Sequence, residues 1–209
     1  MCCRYYMEMS PELRPYVDAV RYSPLGLKMV EKLGKPLITK GEVCPTNMVP
    51  VIAPNKDGCK TIFPMIWGFT IKGLDQPVIN ARVETAGEKK SFKEAWASHR
   101  CIIPASWYYE WEHYISDTGK TKTGDRYAIQ PSGSSVTYLA GLYKMEIYRD
   151  LTYPVFTILT KEPSDNLKKI HDRMPFILPA SAIDEWIDPK NDACAILSKA
   201  VKDMIIEKG

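Results

Sequence analysis

The sequence predicts an α+β fold, a single domain over residues 1–209 with a mostly antiparallel, twisted or barrel-like β core and flanking helices. Three observations carry this. With 209 residues, 45% of them hydrophobic, the chain can bury the full core of one larger domain. Sixteen prolines and twelve glycines are spread along it, which cuts it into many short elements rather than marking one linker. Short apolar runs come first, with helices intercalated and no regular strand–helix–strand alternation, and that order favours α+β over a parallel sheet. Closing many short strands into a barrel would hide their edges.

The elements follow in order. Residues 11–33 carry Leu13, Val17, Val20, Leu25 and Met29 at loose helical spacing, broken at Pro24, and read as one or two short helices. Residues 49–53, 61–66 and 78–79 are apolar or β-branched runs bounded by turn residues, hence strands. Residues 92–98, behind the cap-like Ser91, suit a helix that ends before the apolar run 101–104. The aromatic-rich 107–114 suits a strand, and a polar hairpin loop over 116–125 is the expected mobile segment. Strands follow at 126–130, 136–143 and 155–160. Residues 163–170 read as a helix capped by Ser164, 176–178 as a last strand, and 180–187 and 192–207 as helices.

Composition narrows the class. The formal net charge is +3, a weak lean toward polyanions. The first twenty residues carry Arg4, Glu8, Glu12, Arg14 and Asp18, unlike a signal peptide, and no apolar run approaches the roughly 18 residues of a spanning helix. A cytoplasmic protein is expected, with no membrane partner. The six cysteines then read as reduced thiols. No C-x-x-C spacing occurs and the three histidines form no i, i+4 pair, so no metal site is expected.

Chemistry could start at Cys2. Loss of Met1 would leave a thiol and an α-amine on one residue, a 1,2-aminothiol that closes on an aldehyde as a thiazolidine. The amine titrates at roughly 7.7–8.0 and the thiol at about 8.5, so both reactive forms exist near neutrality. Elsewhere, Asn80-Ala81-Arg82-Val83-Glu84-Thr85 delivers an amide, a guanidinium suited to phosphate and a carboxylate, or else a surface ion pair. Glu110, between Tyr108, Tyr109 and Trp111, is either desolvated, and so protonated near neutrality, or an ordinary outward residue. His171, beside Asp172 and Arg173 in a connecting segment, is a proton-transfer candidate or a helix cap. Trp67-Gly68 could offer a flat face to a base, or simply be core.

Taken together, the motifs resemble the SOS-response-associated peptidase (SRAP) family. The matching residues are Met1-Cys2 with Arg4-Tyr5, Pro45-Thr46, Val49-Pro50-Val51, Trp67-Gly68, Asn80-Ala81-Arg82 with Glu84-Thr85, and Phe92 ahead of Arg100-Cys101. They continue with Pro104-Ala105, Tyr109-Glu110-Trp111, Ala140-Gly141-Leu142 and Ile170-His171-Asp172-Arg173-Met174-Pro175, in family order over residues 1–190.

The resemblance implies a sensor and shield of abasic sites in single-stranded DNA, working as a monomer without metal or cofactor and nucleoid-associated while on DNA. It makes Cys2 the nucleophile of a thiazolidine crosslink. Asn80 would hold the N-terminus or the sugar. Glu110 would be the proton donor, also suspected in Met1 release, and His171 would favour sugar ring opening. Arg82, with Arg4 and Arg173, would grip phosphates, and Trp67 would face a base. The chain departs from the pattern at Cys3, where glycine is usual, and at Phe69-Thr70-Ile71-Lys72 after Trp67-Gly68. It also lacks a visible late His-Pro-Val-type strand. Two other readings stay open: a thiol peptidase acting in trans, and a non-catalytic single-strand-binding module.

Overall fold

The computed structural model describes residues 2–116 and 118–209. It opens with β1 (Arg4–Met7), whose Tyr5 and Met7 turn inward while Arg4 and Tyr6 turn outward. Helices α1 (Arg14–Arg21) and α2 (Pro24–Leu33) follow. The Ser23 hydroxyl between them accepts from the Gly26 N–H, and Pro24 fills the first helical position, where no N–H is needed. Next come β2 (Gly41–Val43), β3 (Met48–Pro54), β4 (Lys60–Trp67) and β5 (Asn80–Arg82). Short helices α3 (Val83–Ala86) and α4 (Lys93–Ser98) lead into β6 (Arg100–Ala105) and β7 (Trp107–Ile115). The long strands are β8 (Thr121–Pro131), β9 (Thr137–Tyr148) and β10 (Leu151–Lys161). The rest is β11 (Met174–Pro175), β12 (Ile177–Leu178), α5 (Ile183–Ile187), α6 (Ala193–Ile196) and β13 (Met204–Lys208).

Five strands close on themselves. β4 pairs β3, β3 pairs β6, β6 pairs β9, β9 pairs β10, and β10 returns to β4. Only the β10–β4 contact is parallel. Closure leaves these strands no free edge. β10 also carries β5 in parallel, so Asn80 and Arg82 are delivered at its far end. A second, antiparallel sheet runs β13-β8-β7-β1-β2. One core cluster joins the two sheets through Cys2, Tyr5, Trp67, Ile103, Tyr108 and Ile158. Another packs barrel strands on the helices through Met29, Phe69, Phe92, Phe176 and Trp186.

Several elements differ from expectation. Residues 163–170 form no helix but consecutive turns over 165–170; the Ser164 hydroxyl donates to Asn166 Oδ1 instead of capping. Residues 192–207 are helical only at α6 and one 3₁₀ turn, then become β13, which pairs β8 from Lys208 opposite Tyr127 to Met204 opposite Pro131. A late strand is therefore present, and its tertiary partner decides what its local pattern did not. The strand placed at 78–79 lies at β5, and Val78 makes an isolated bridge to Phe69. The strand placed at 176–178 splits into β11 and β12 around Phe176, whose N–H bonds Leu159 O and whose carbonyl takes the Ala140 N–H. β7 reaches Ile115 and β8 begins at Thr121, inside the expected hairpin loop, shortening it to 116–120; position 117 lies outside the described residues.

Candidate active site at the start of β1

Cys2 stands two residues before β1 and is fully buried. The Asn80 Nδ2 donates to its carbonyl oxygen at 2.8 Å, tying the chain start to β5. Antiparallel pairing sets Arg4 opposite Tyr109, and one step further along β7 is Glu110. Alternation turns Glu110 and Tyr108 inward, both nearly inaccessible. Burial pushes the Glu110 carboxyl up; Asp172 adds to the rise, and the Trp111 N–H, 3.4 Å from Oε1, holds it down. His171 follows the turns at 165–170, its Nε2 4.0 Å from Glu110 Oε1.

The His171 ring has a decidable tautomer. Its Nδ1 accepts the buried Arg173 N–H at 3.0 Å and also lies 2.7 Å from Asp172 Oδ1, contacts that ask for opposite protonation. The Asp172 carboxylate is exposed and can turn to water, whereas the backbone N–H cannot. Nδ1 is therefore the acceptor, and the ring proton sits on Nε2, facing Glu110. Burial lowers the His171 pKa to about 4, with His113, its ring centroid 4.8 Å away, adding to the drop and Asp172 opposing it. The imidazole is neutral at pH 7. The site thus holds a neutral N–H donor beside a carboxyl biased toward its protonated form.

The Cys2 thiol is pushed well up by burial, with Glu110 and Cys3 adding. Cys3, half-buried, is raised by burial and by Glu110, with Arg4 opposing. Residue 1, whose loss the aminothiol chemistry requires, lies outside the described residues.

The other expected residues are placed differently from one another. Arg82 is exposed at the head of α3. Arg173 is buried, its two terminal nitrogens bonding Glu84 at 2.9 and 2.8 Å and Nη2 also reaching the Thr160 carbonyl at 2.6 Å. Burial works against the Glu84 charge, but these bonds from Arg173 win and lower its pKa. Arg173 therefore braces the loop behind His171 and shows no free guanidinium edge to a phosphate. Arg4 is on the opposite face of β1 from Tyr5, bonded to Glu42 at 2.6 Å and Cys44 Sγ at 2.7 Å. Trp67 is wholly buried between Tyr5 and Phe156 and exposes no ring face to a base. Its Nε1 donates to the Ile79 carbonyl at 3.0 Å, so it anchors the strand that presents Asn80. Gly68 behind it has φ 122°, and a Cβ there would stand 2.7 Å from Pro77.

Three residues near the centre were not anticipated. Tyr5 and Tyr108 face each other across β1 and β7 and surround Cys2, their hydroxyls pushed well up, above all by burial. His113 packs on His171. Strand alternation around Glu110 was the signal for Tyr108; nothing local pointed to His113, which reaches His171 through a bulge in β7.

Comparison with known proteins settles the lineage. The family model described as SOS response associated peptidase (SRAP) matches residues 1–207. The chain belongs to that family. It is 38% identical over 165 residues to the abasic site processing protein YoaM of Bacillus subtilis, covering 73% of this chain and 70% of that protein. It is 31% identical over 128 residues to YedK of Escherichia coli, covering 59% and 54%, and 24% identical over 165 residues to HMCES of Xenopus tropicalis, covering 66% and 49%. Both bear the same abasic site processing title. The chain thus spans about half the length of several curated relatives it matches. The fold is shared with a solved protein from Bacteroides thetaiotaomicron, TM-score 0.74 and 21% identity over 99% of this chain and 91% of that one. Among the described residues, no helix is long and apolar enough to cross a membrane.

Proposed function

We propose that this SRAP-family chain recognises abasic sites in single-stranded DNA and captures them covalently through Cys2 once Met1 is gone. The observation that carries this reading is the meeting of three side chains from distant segments at the chain start. Asn80 fixes the Cys2 carbonyl at 2.8 Å, while Glu110 and His171, 4.0 Å apart, converge on the same chain start. The abasic site processing titles of its relatives support the same substrate.

The chemistry balances without a cofactor. Ring opening of the sugar hemiacetal exposes an aldehyde and needs proton transfer at the ring oxygen, which the His171 Nε2–H and the Glu110 carboxyl are placed to provide. The Cys2 amine attacks the aldehyde carbon, and water leaves to give an imine. The Cys2 sulfur then adds to that carbon while its proton passes to nitrogen, closing the thiazolidine. A buried thiol held high is a poor free nucleophile, but the last step joins groups on one residue, where effective molarity offsets a small thiolate fraction. A peptidase acting in trans has no such compensation. The same acid pair would serve Met1 release. Arg82 at the rim would take a phosphate, giving salt-dependent affinity.

The test is a denaturing gel of protein mixed with a single-stranded oligonucleotide bearing one abasic site. A shifted band is expected for the natural sequence, none for Cys2→Ala, and formation about 100-fold slower for Glu110→Gln. Absence of the band from the natural sequence overturns the proposal.

A further inference from the structure

A pocket outside this site opens on the outer face of the five-stranded sheet. Alternation along β7 puts Trp107 and Tyr109 on that face while Tyr108 and Glu110 turn inward to the active site. Trp107, Ala128, Gln130, Ile205 and Glu207 line a cavity of about 140 Å³. One face of the indole is covered by Tyr6, with ring centroids 4.5 Å apart and planes 3° from parallel. Its Nε1–H is buried and meets no acceptor among the described residues. That donor has no surface open to the pocket, so what Trp107 offers an occupant is the apolar part of its indole.

The rim adds two further demands. Glu207 supplies a carboxylate that accepts, and Gln130 an amide that does either. An apolar side chain would leave the Gln130 amide and the Glu207 carboxylate unanswered. A flat ring with an acceptor beside a donor answers both. Next to the pocket, Arg126 lies 4.4 Å over the Tyr109 ring, and its Nη1 is 3.4 Å from Glu42. Arg4 holds the same carboxylate at 2.6 Å. Two guanidiniums sharing one carboxylate leave a surplus positive charge beside an aromatic slot, the combination that single-stranded nucleic acid favours.

We infer that this pocket is a base-binding subsite, taking one unpaired nucleobase of the strand whose abasic sugar reaches Cys2, with Arg4 and Arg126 on the phosphates between. It rests on the abasic-site reading for the identity of that strand. Cytosine suits it better than thymine. Its exocyclic amino group gives Glu207 a donor, and the adjacent ring nitrogen or carbonyl takes an N–H of the Gln130 amide. In thymine the ring N–H lies between two carbonyls, one of which would face the carboxylate. Four residue steps lead from Cys2 to Tyr6, about 14 Å if fully extended. At the roughly 3.4 Å per nucleotide of a stacked strand, the bound base lies within about four nucleotides of the abasic sugar.

The test uses fluorescence anisotropy in a Cys2→Ala background, which keeps binding non-covalent. An oligothymidylate carrying one abasic site receives a single cytosine, walked through four positions on each side. One position should tighten binding severalfold. Trp107→Ala should erase that gain and weaken binding overall by at least about fivefold, and Glu207→Gln should erase the cytosine preference. No discrimination at any position overturns the subsite, as does a Trp107→Ala protein of native melting that binds undiminished. Should Trp107→Ala fail to fold, survival of the cytosine gain in both Glu207→Gln and Gln130→Ala is decisive against it. Crosslinking by the natural sequence is scored separately, so a protein that crosslinks without base preference sinks this subsite alone.

Discussion

Burial at the centre of the site acts on Glu110 and His171 in opposite senses, raising the acid and lowering the base. The two therefore tilt stability in opposite directions with pH. The folded His171 value of about 4 lies below its ordinary 6.5, so folding disfavours its proton. Its contribution is complete above pH 6.5 and drains away as pH falls toward 4. Glu110, raised from 4.5, contributes stability that is full at lower pH and lost as pH climbs through its folded value. His171→Gln should accordingly flatten the fall in melting temperature between pH 6.5 and 4, measured by circular dichroism against the natural sequence. An unchanged acid-side slope would mean that His171 is not held neutral by the fold. The motif around these residues was legible because it repeats chemistry rather than packing. The roles of Trp67 and Arg173 were not: one depends on burial between Tyr5 and Phe156, the other on Glu84, 89 positions away.

Among the elements, β9 shows how a motif can be read for the wrong reason. Ala140-Gly141-Leu142 entered as a family signature, yet the structure gives Gly141 a steric cause. A Cβ there would stand 2.7 Å from both Ile103 Cδ1 and the Thr157 carbonyl, inside the closing seam of β6, β9 and β10. Gly141→Ala is expected to cost about 1–3 kcal/mol and to lower the melting temperature by several degrees. A melting curve superimposable on that of the natural sequence would show that the seam yields more readily than its geometry implies. Helices α1, α2 and α4 and the central strands were visible in periodicity and prolines, but the cap expected at Ser91 is not formed: Phe92 stands at the N-cap of α4 and makes no side-chain bond there. β1, β2 and β13 were not, because each is short and owes its conformation to a neighbouring strand rather than to its own composition.

For the whole molecule, closure of β3, β4, β6, β9 and β10 does the positioning. It fixes β10, which carries β5 and hence Asn80 and Arg82. The second sheet brings β1 against β7 and hence Cys2 toward Glu110. The class, α+β with a largely antiparallel and barrel-like core, could be read from the sequence, but the β10–β5 and β13–β8 pairings join residues more than seventy positions apart and carry no local mark. The SRAP lineage accounts for the common architecture, and the proposed chemistry hangs on Cys2, two residues before β1. Intact-mass spectrometry reads that chemistry most directly, before and after incubation with a single-stranded abasic oligonucleotide. The account predicts a protein lacking one methionine, then a species equal to that protein plus the oligonucleotide less one water. A protein that keeps Met1 yet forms the adduct, or one that has lost Met1 and forms none, would contradict it.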